Sequence, residues 1–126
     1  MEELRLLERL HKLSEAGVVF IVAGELAATL HGAPICAFEF EVVRRDGAAA
    51  LVRDGRISIL GSIGHGRTYE DLLPHSVEMD IGGGVHVRVL DLETLIAVKE
   101  EVGGEKDRAV LPILRRTLEE KRKMGL

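Results

Sequence analysis

The chain has 126 residues, 46% of them hydrophobic and 30% charged, a globular composition whose length predicts one domain. Aromatic residues make up 3%, with no Trp and one Tyr, which argues against the stacking platforms of single-stranded nucleic-acid readers. Lys and Arg total 17 against 21 for Asp and Glu, a formal charge of -4, the wrong sign for a protein that binds by neutralising phosphates, so nucleic acid is not an expected partner.

Between Glu2 and Ser14, Leu4, Leu6, Leu7, Leu10 and Leu13 recur at helical spacing with Glu, Arg and Lys between them, predicting an amphipathic opening helix. The same stretch is charged throughout rather than carrying an apolar signal core. No run approaches the ~18 apolar residues of a membrane span, and the lone Cys36 fits a reducing compartment. A cytoplasmic protein without a membrane partner is the expectation. Gly17 ends the helix, and Val18 to Val22 has no polar position, as in a central strand buried on both faces. Gly24 then turns the chain into a helix from Glu25 to His31, striped by Leu26, Ala27 and Leu30 and stopped by Gly32, Ala33 and Pro34.

From Cys36 to Val43, Phe38, Phe40 and Val42 alternate with Ala37, Glu39, Glu41 and Val43, a strand pattern of period two. After a polar turn, the Ala-rich stretch Ala48 to Arg53 predicts a helix and Arg56 to Leu60 a strand. Gly61 to Arg67 reads as loop, and Tyr69 to Leu73 as a helical turn closed by Pro74. Ser76 to Ile81 and Val85 to Leu90 form a hairpin around three glycines. Asp91 stands where an N-cap belongs, with Thr94, Leu95, Val98 and Val102 following at helical spacing. Gly103 and Gly104 separate that helix from a last one, Asp107 to Lys123, with Pro112 close to its start. The order predicts an α/β (α+β) domain, a mixed sheet with helices mostly on one face.

Glu39 and Glu41, two apart on one strand, project from the same face, so both can reach one Mg²⁺. The preceding glycine turn would offer backbone N–H groups to a phosphate. Together these are parts of a phosphoryl-transfer site; the same spacing also describes a solvated strand face, and spacing alone does not choose between them.

The stretch VFIVAGELAATLHGAPICAFEFEVV resembles the signature of minimal nucleotidyltransferases of the DNA polymerase β-like fold: a strand, a Gly-Gly or Gly-Ser turn, a helix ending in His-Gly, then Pro-Arg-x-Thr-x-Asp-x-Asp. LDLETLIAVKEEVGGEKDRAVLPIL is similar to the second conserved segment of the small bacterial branch that includes toxin and abortive-infection members. Gly24, His31, Gly32, Pro34, Lys99, Lys106 and Asp107 anchor the register, over most of residues 17 to 118. The resemblance implies a mixed-sheet fold, Mg²⁺ held by Glu39 and Glu41 as catalytic and metal residues, and a nucleoside triphosphate contacted through Gly24, Glu25, Lys99, Lys106 and Asp107.

The departures from that pattern carry their own implication. Glu25 places negative charge where a triphosphate should lie. Ile35 and Ala37 replace Arg and Thr, and Glu39 and Glu41 replace two Asp, moving the ligand oxygens outward in a geometry that tolerates little displacement. Ser58 stands at the position of the third carboxylate and supplies neither its charge nor a general base. A degenerate nucleotidyltransferase, a pseudoenzyme binding a nucleotide or a protein partner in a toxin-antitoxin-like or defence setting, is the expected function. The alternative is an active Mg²⁺-dependent transferase using Glu39 and Glu41.

Other features have plainer expectations. The five histidines show no zinc-ligand spacing, and His31 is expected to pack at a helix end. GSIGHG, Gly61 to Gly66, lacks the Lys and Ser/Thr of a P-loop and is expected to be a mobile connection over the site. Cys36 is expected to be a buried structural thiol, and the tail EEKRKMGL a solvated helix end.

Overall fold

The computed structural model describes residues 2–37, 40–46, 50–51 and 57–125. Phe38 and Glu39, and most of the stretch between 47 and 56, lie outside them. The chain opens with α1 (Glu2–Glu15), whose Leu6 and Leu10 are fully buried. Strand β1 (Phe20–Ala23) follows, buried at all four positions. Strand side chains alternate between faces, so both faces of β1 are covered. The expectation of a central strand was right, although the ladder begins two residues later, leaving Val19 exposed.

Helix α2 (Gly24–Leu30) starts without an intervening residue and presents Leu26, Ala27 and Ala28 to the core. Strand β2 (Phe40–Arg44) returns antiparallel to β1, and Ala23 stands opposite Glu41. The stretch expected to be helical contains instead β3 (Ala50–Leu51), antiparallel to β4 (Ile57–Leu60). Its pairing with the outer edge of β4 overrides the helix preference of alanine, because a local propensity of a few tenths of a kcal/mol per residue yields to ladder hydrogen bonds.

The segment expected to be a mobile loop also differs. It holds two short strands, β5 (Ser62–Ile63) and β6 (Arg67–Thr68), paired antiparallel. Thr68 then caps α3 (Tyr69–Leu72) in a reciprocal box with Asp71, satisfying two otherwise orphaned N–H groups. A 3-10 turn, Leu73–His75, carries Pro74. The expected hairpin is β7 (Ser76–Asp80) and β8 (His86–Leu90).

Asp91 caps α4 (Leu92–Val102), accepting from the Thr94 N–H at 2.8 Å. Gly103, at φ +66°, closes that helix in the left-handed conformation, its N–H bonded to the Lys99 carbonyl at 2.9 Å. Helix α5 (Glu105–Lys123) packs on α4 and holds Pro112 in its interior. The main sheet runs β3-β4-β2-β1-β8-β7, with β1 parallel to β8 and β2 parallel to β4. The architecture is therefore the mixed α/β arrangement expected from the order of elements. Its core is mostly aliphatic around Phe40: Ile21, Val22, Leu26, Val42, Leu90 and Leu114 are fully buried, each contributing roughly 1.5–3 kcal/mol relative to an exposed side chain. No helix among the described residues is long and apolar enough to cross a membrane.

Candidate functional site

The antiparallel pairing of β1 with β2 decides where the glycine turn and the acidic strand meet. Gly24 leaves β1 at φ +65°, and a Cβ there would stand 3.2 Å from Oε2 of Glu41. A side chain would be strained by the backbone angle and crowded by the carboxylate, so glycine lets Glu41 lie over the turn. On the other side of β2, Glu41 is in register with Ser58 of β4. Neighbouring positions of a sheet project to one face, so hydroxyl and carboxylate are side by side.

Helix α4 supplies the opposite wall. Gly24, Glu41, Ile63, Leu95, Val98, Lys99, Val102 and Asp107 line one cleft of about 200 Å³. Lys99 and Asp107 come from the facing ends of α4 and α5, joined by the two-glycine break, and Lys99 Nζ donates to Asp107 Oδ1 at 3.1 Å. Their side chains are 14% and 22% exposed. This ion pair is partly withdrawn from water, so each charge depends on the other.

Four sequence-derived residues, Gly24, Glu41, Lys99 and Asp107, therefore converge, with Ser58 beside them. Two others do not join the wall. Glu25 is half-buried in the first turn of α2, and Lys106 is exposed on α5. Glu39 lies outside the described residues. No group of three or more His, Cys, Asp or Glu among the described residues could hold a metal ion. Of the two acids that line the cleft among the described residues, Asp107 is bonded to Lys99.

Sequence reasoning missed the clasp that fixes the strand pair over the cleft. Arg67 of β6 donates to Glu101 Oε1 of α4 through Nε at 3.0 Å and through its terminal nitrogen, and the His65 N–H reaches Glu101 Oε2 at 3.2 Å. The Arg67 hydrogen bonds and the His65 N–H hold the Glu101 carboxyl below its usual range. The segment expected to move freely is thereby tied to α4, with Ile63 as part of the cleft wall. Nothing in the local pattern of Gly61 to Arg67 signals a partner 34 to 36 positions away.

Two further expectations are corrected or extended. Cys36 is an exposed free thiol rather than a buried one, because the chain around it precedes the ladder of β2 instead of belonging to it. His31 does pack at the end of α2, 8% exposed, but with a partner the sequence did not suggest. Its Nε2 lies 2.8 Å from the Leu90 carbonyl and its Nδ1 2.9 Å from Lys121 Nζ. A carbonyl can only accept, so Nε2 carries the proton and Nδ1 accepts from the ammonium. The tail of α5 is thus not solvated throughout. No model of a known protein family and no curated protein matches this sequence.

Proposed function

We propose that this chain is a degenerate nucleotidyltransferase-fold protein that keeps the scaffold and uses its cleft for binding rather than for metal-dependent transfer. The observation that carries this reading is the convergence of Gly24, Glu41, Lys99 and Asp107 on one cleft, with Ser58 in register beside Glu41. Those are positions that the resemblance assigns to nucleotide and metal; Gly24, Lys99 and Asp107 keep the family's residues, whereas Glu41 and Ser58 stand where it has carboxylates of aspartate. The hydroxyl of Ser58 cannot hold a cation as a carboxylate does, and the cation of the site is already paired with Asp107.

Of the two ligands that the reading allows, size favours a protein partner. The cleft encloses about 200 Å³, below the roughly 300–1,000 Å³ of sites that engulf a small molecule. A side chain presented by a partner is of that size, whereas a whole nucleoside triphosphate is larger.

Incubation with labelled ATP, GTP, CTP and UTP in Mg²⁺ or Mn²⁺ tests the loss of transfer. No labelled product is expected with protein, RNA or small acceptors. Transfer that disappears in Glu41→Ala would establish the active alternative. Thermal unfolding separates the two ligands, because a nucleotide at a hundredfold its dissociation constant adds roughly 2.7 kcal/mol of stability. No shift with any triphosphate is expected, and a saturable shift abolished by Lys99→Met would assign the cleft to nucleotide.

A further inference from the structure

On a different side of the fold, the end of α2 and the last turns of α5 enclose a groove of about 570 Å³, within the size range of small-molecule sites. It shares no lining residue with the cleft of Glu41. Its wall is mostly apolar, with Pro34, Ile113 and Met124 among its residues, and two cations, Arg116 and Lys121, border it.

The charges of α5 are unevenly answered. Arg115 reaches Glu100 at 3.6 Å, Arg122 reaches Glu93 at 2.8 Å, and Lys123 reaches Glu119 at 3.5 Å and Glu120 at 4.0 Å. Glu120, the exposed acid that also borders the groove, shares Lys123 with Glu119. Among the described residues, Arg116 and Lys121 have no carboxylate within ion-pair distance. Lys121 bonds instead to the neutral ring of His31, which satisfies one of its three donors and none of its charge. Burial pulls the Lys121 ammonium below its usual pKa, the mark of a cation that has lost water without gaining a counter-charge.

We propose that this groove binds a small amphiphilic carboxylate, its apolar body against Pro34, Ile113 and Met124 and its carboxylate between Lys121 and Arg116. Such a ligand supplies both things the groove lacks, apolar contact for its wall and an anion for its two cations. A purely polar anion leaves the wall wet, and an uncharged chain leaves the cations unanswered. A carboxylate on Lys121 also stands near the His31 ring, and its negative charge favours the protonated imidazole. Occupancy can therefore be read at His31, which itself borders the groove.

Decanoate is the probe, with decanol as the uncharged control, titrated into the full chain by calorimetry. Decanoate is expected to bind saturably, and Lys121→Met to weaken it about tenfold, the loss of one charge-assisted hydrogen bond, with decanol unaffected by the substitution. Arg116→Met, at an exposed position, should weaken decanoate several-fold and serves if Lys121→Met fails to fold. By NMR, the titration midpoint of His31 should rise when decanoate is present. Absence of saturable binding, equal affinity in both variants, or an unmoved His31 midpoint would each overturn the assignment.

Discussion

Lys99 and Lys121 are both partly buried lysines of the two C-terminal helices, and they have met opposite fates. Lys99 lies in the cleft beside Gly24 and Glu41 with its ammonium 3.1 Å from the Asp107 carboxylate. Lys121 borders the groove at the end of α2 with its ammonium 2.9 Å from a neutral imidazole. Both cations are partly stripped of water, and only the first recovers the loss through an opposite charge. The comparison teaches that a cation at a cleft does not by itself make an anion site. In the cleft the cation is answered by a carboxylate of the chain, whereas in the groove Lys121 meets a neutral ring.

The largest effect should come from breaking the satisfied member of the pair. Asp107→Ala leaves Lys99 partly buried without a counter-charge, at an expected cost of about 2 kcal/mol, discounted from the fully buried case because both side chains keep some contact with water. Thermal unfolding should show a fall in Tm of roughly 5 °C or more. The double variant Asp107→Ala, Lys99→Met should recover most of it, since it removes the stranded charge along with its partner. A single substitution that leaves Tm unchanged would mean that water already screens the pair.

A somewhat smaller cost is expected at the turn facing that pair. Gly24→Ala forces a side chain onto φ +65° and brings its Cβ to 3.2 Å from Glu41 Oε2, costing about 1 to 2 kcal/mol by denaturant unfolding. Glu41 is exposed at the end of a flexible side chain, so it can yield by a few tenths of an ångström. The cost is therefore mostly backbone strain, and adding Glu41→Ala should restore only a small part. Full rescue would shift the cause from the backbone to the carboxylate.

These two sites differ in how far the sequence disclosed them. Gly24, the N-cap at Asp91, the glycine break at Gly103 and the hairpin glycines are local signals, since each acts within a few residues of its own position. They were legible, and they carry the element order with them. The alternation of Phe40, Glu41 and Val42 placed Glu41 on a strand, while its register with Ser58 is a pairing between strands that the local pattern did not give. What the sequence hid was set by long-range pairing. Strand β3 forms because β4 offers an open edge, which outweighs the helix preference of its alanine-rich stretch. Glu101 clasps Arg67 across 34 positions, and Lys121 meets His31 across 90. Such contacts depend on how helices are laid over the sheet, and no periodicity encodes them.

The groove should respond to pH through His31. Burial lowers the pKa of His31, as does the Lys121 charge, while the Leu90 carbonyl and Asp91 act in the opposite direction. A base whose pKa is depressed on folding is protonated more readily in the unfolded chain. The unfolded state therefore binds more protons between the folded pKa and about 6.5, and stability rises with pH across that window. The His31 contribution is complete above the unfolded value and is lost as pH falls below it. His31→Asn should flatten the Tm profile there. It should leave the more acidic fall untouched, where Asp71 and Glu101, whose pKa values are lowered by the Thr68 N–H and hydroxyl and by Arg67 and the His65 N–H respectively, become protonated. An unchanged slope in His31→Asn would place the neutral-range titration elsewhere.

The smallest effect is expected where the comparison is sharpest, at Lys121→Met. The substitution removes an ammonium that burial has already weakened and replaces it with an apolar chain of similar reach on a mostly apolar wall. It also takes a donor from His31 Nδ1, at a cost of about 1 kcal/mol, which the relief of the desolvated charge and the added apolar contact offset. Urea unfolding should find the variant within about 0.5 kcal/mol of the parent, a fraction of the loss in Asp107→Ala. A charge with a counter-charge cannot be relieved of its partner without penalty; a charge with only a neutral neighbour can itself be removed at little cost. If Lys121→Met instead destabilises as much as Asp107→Ala, the ammonium is already compensated, and the groove has no unanswered charge to offer a ligand.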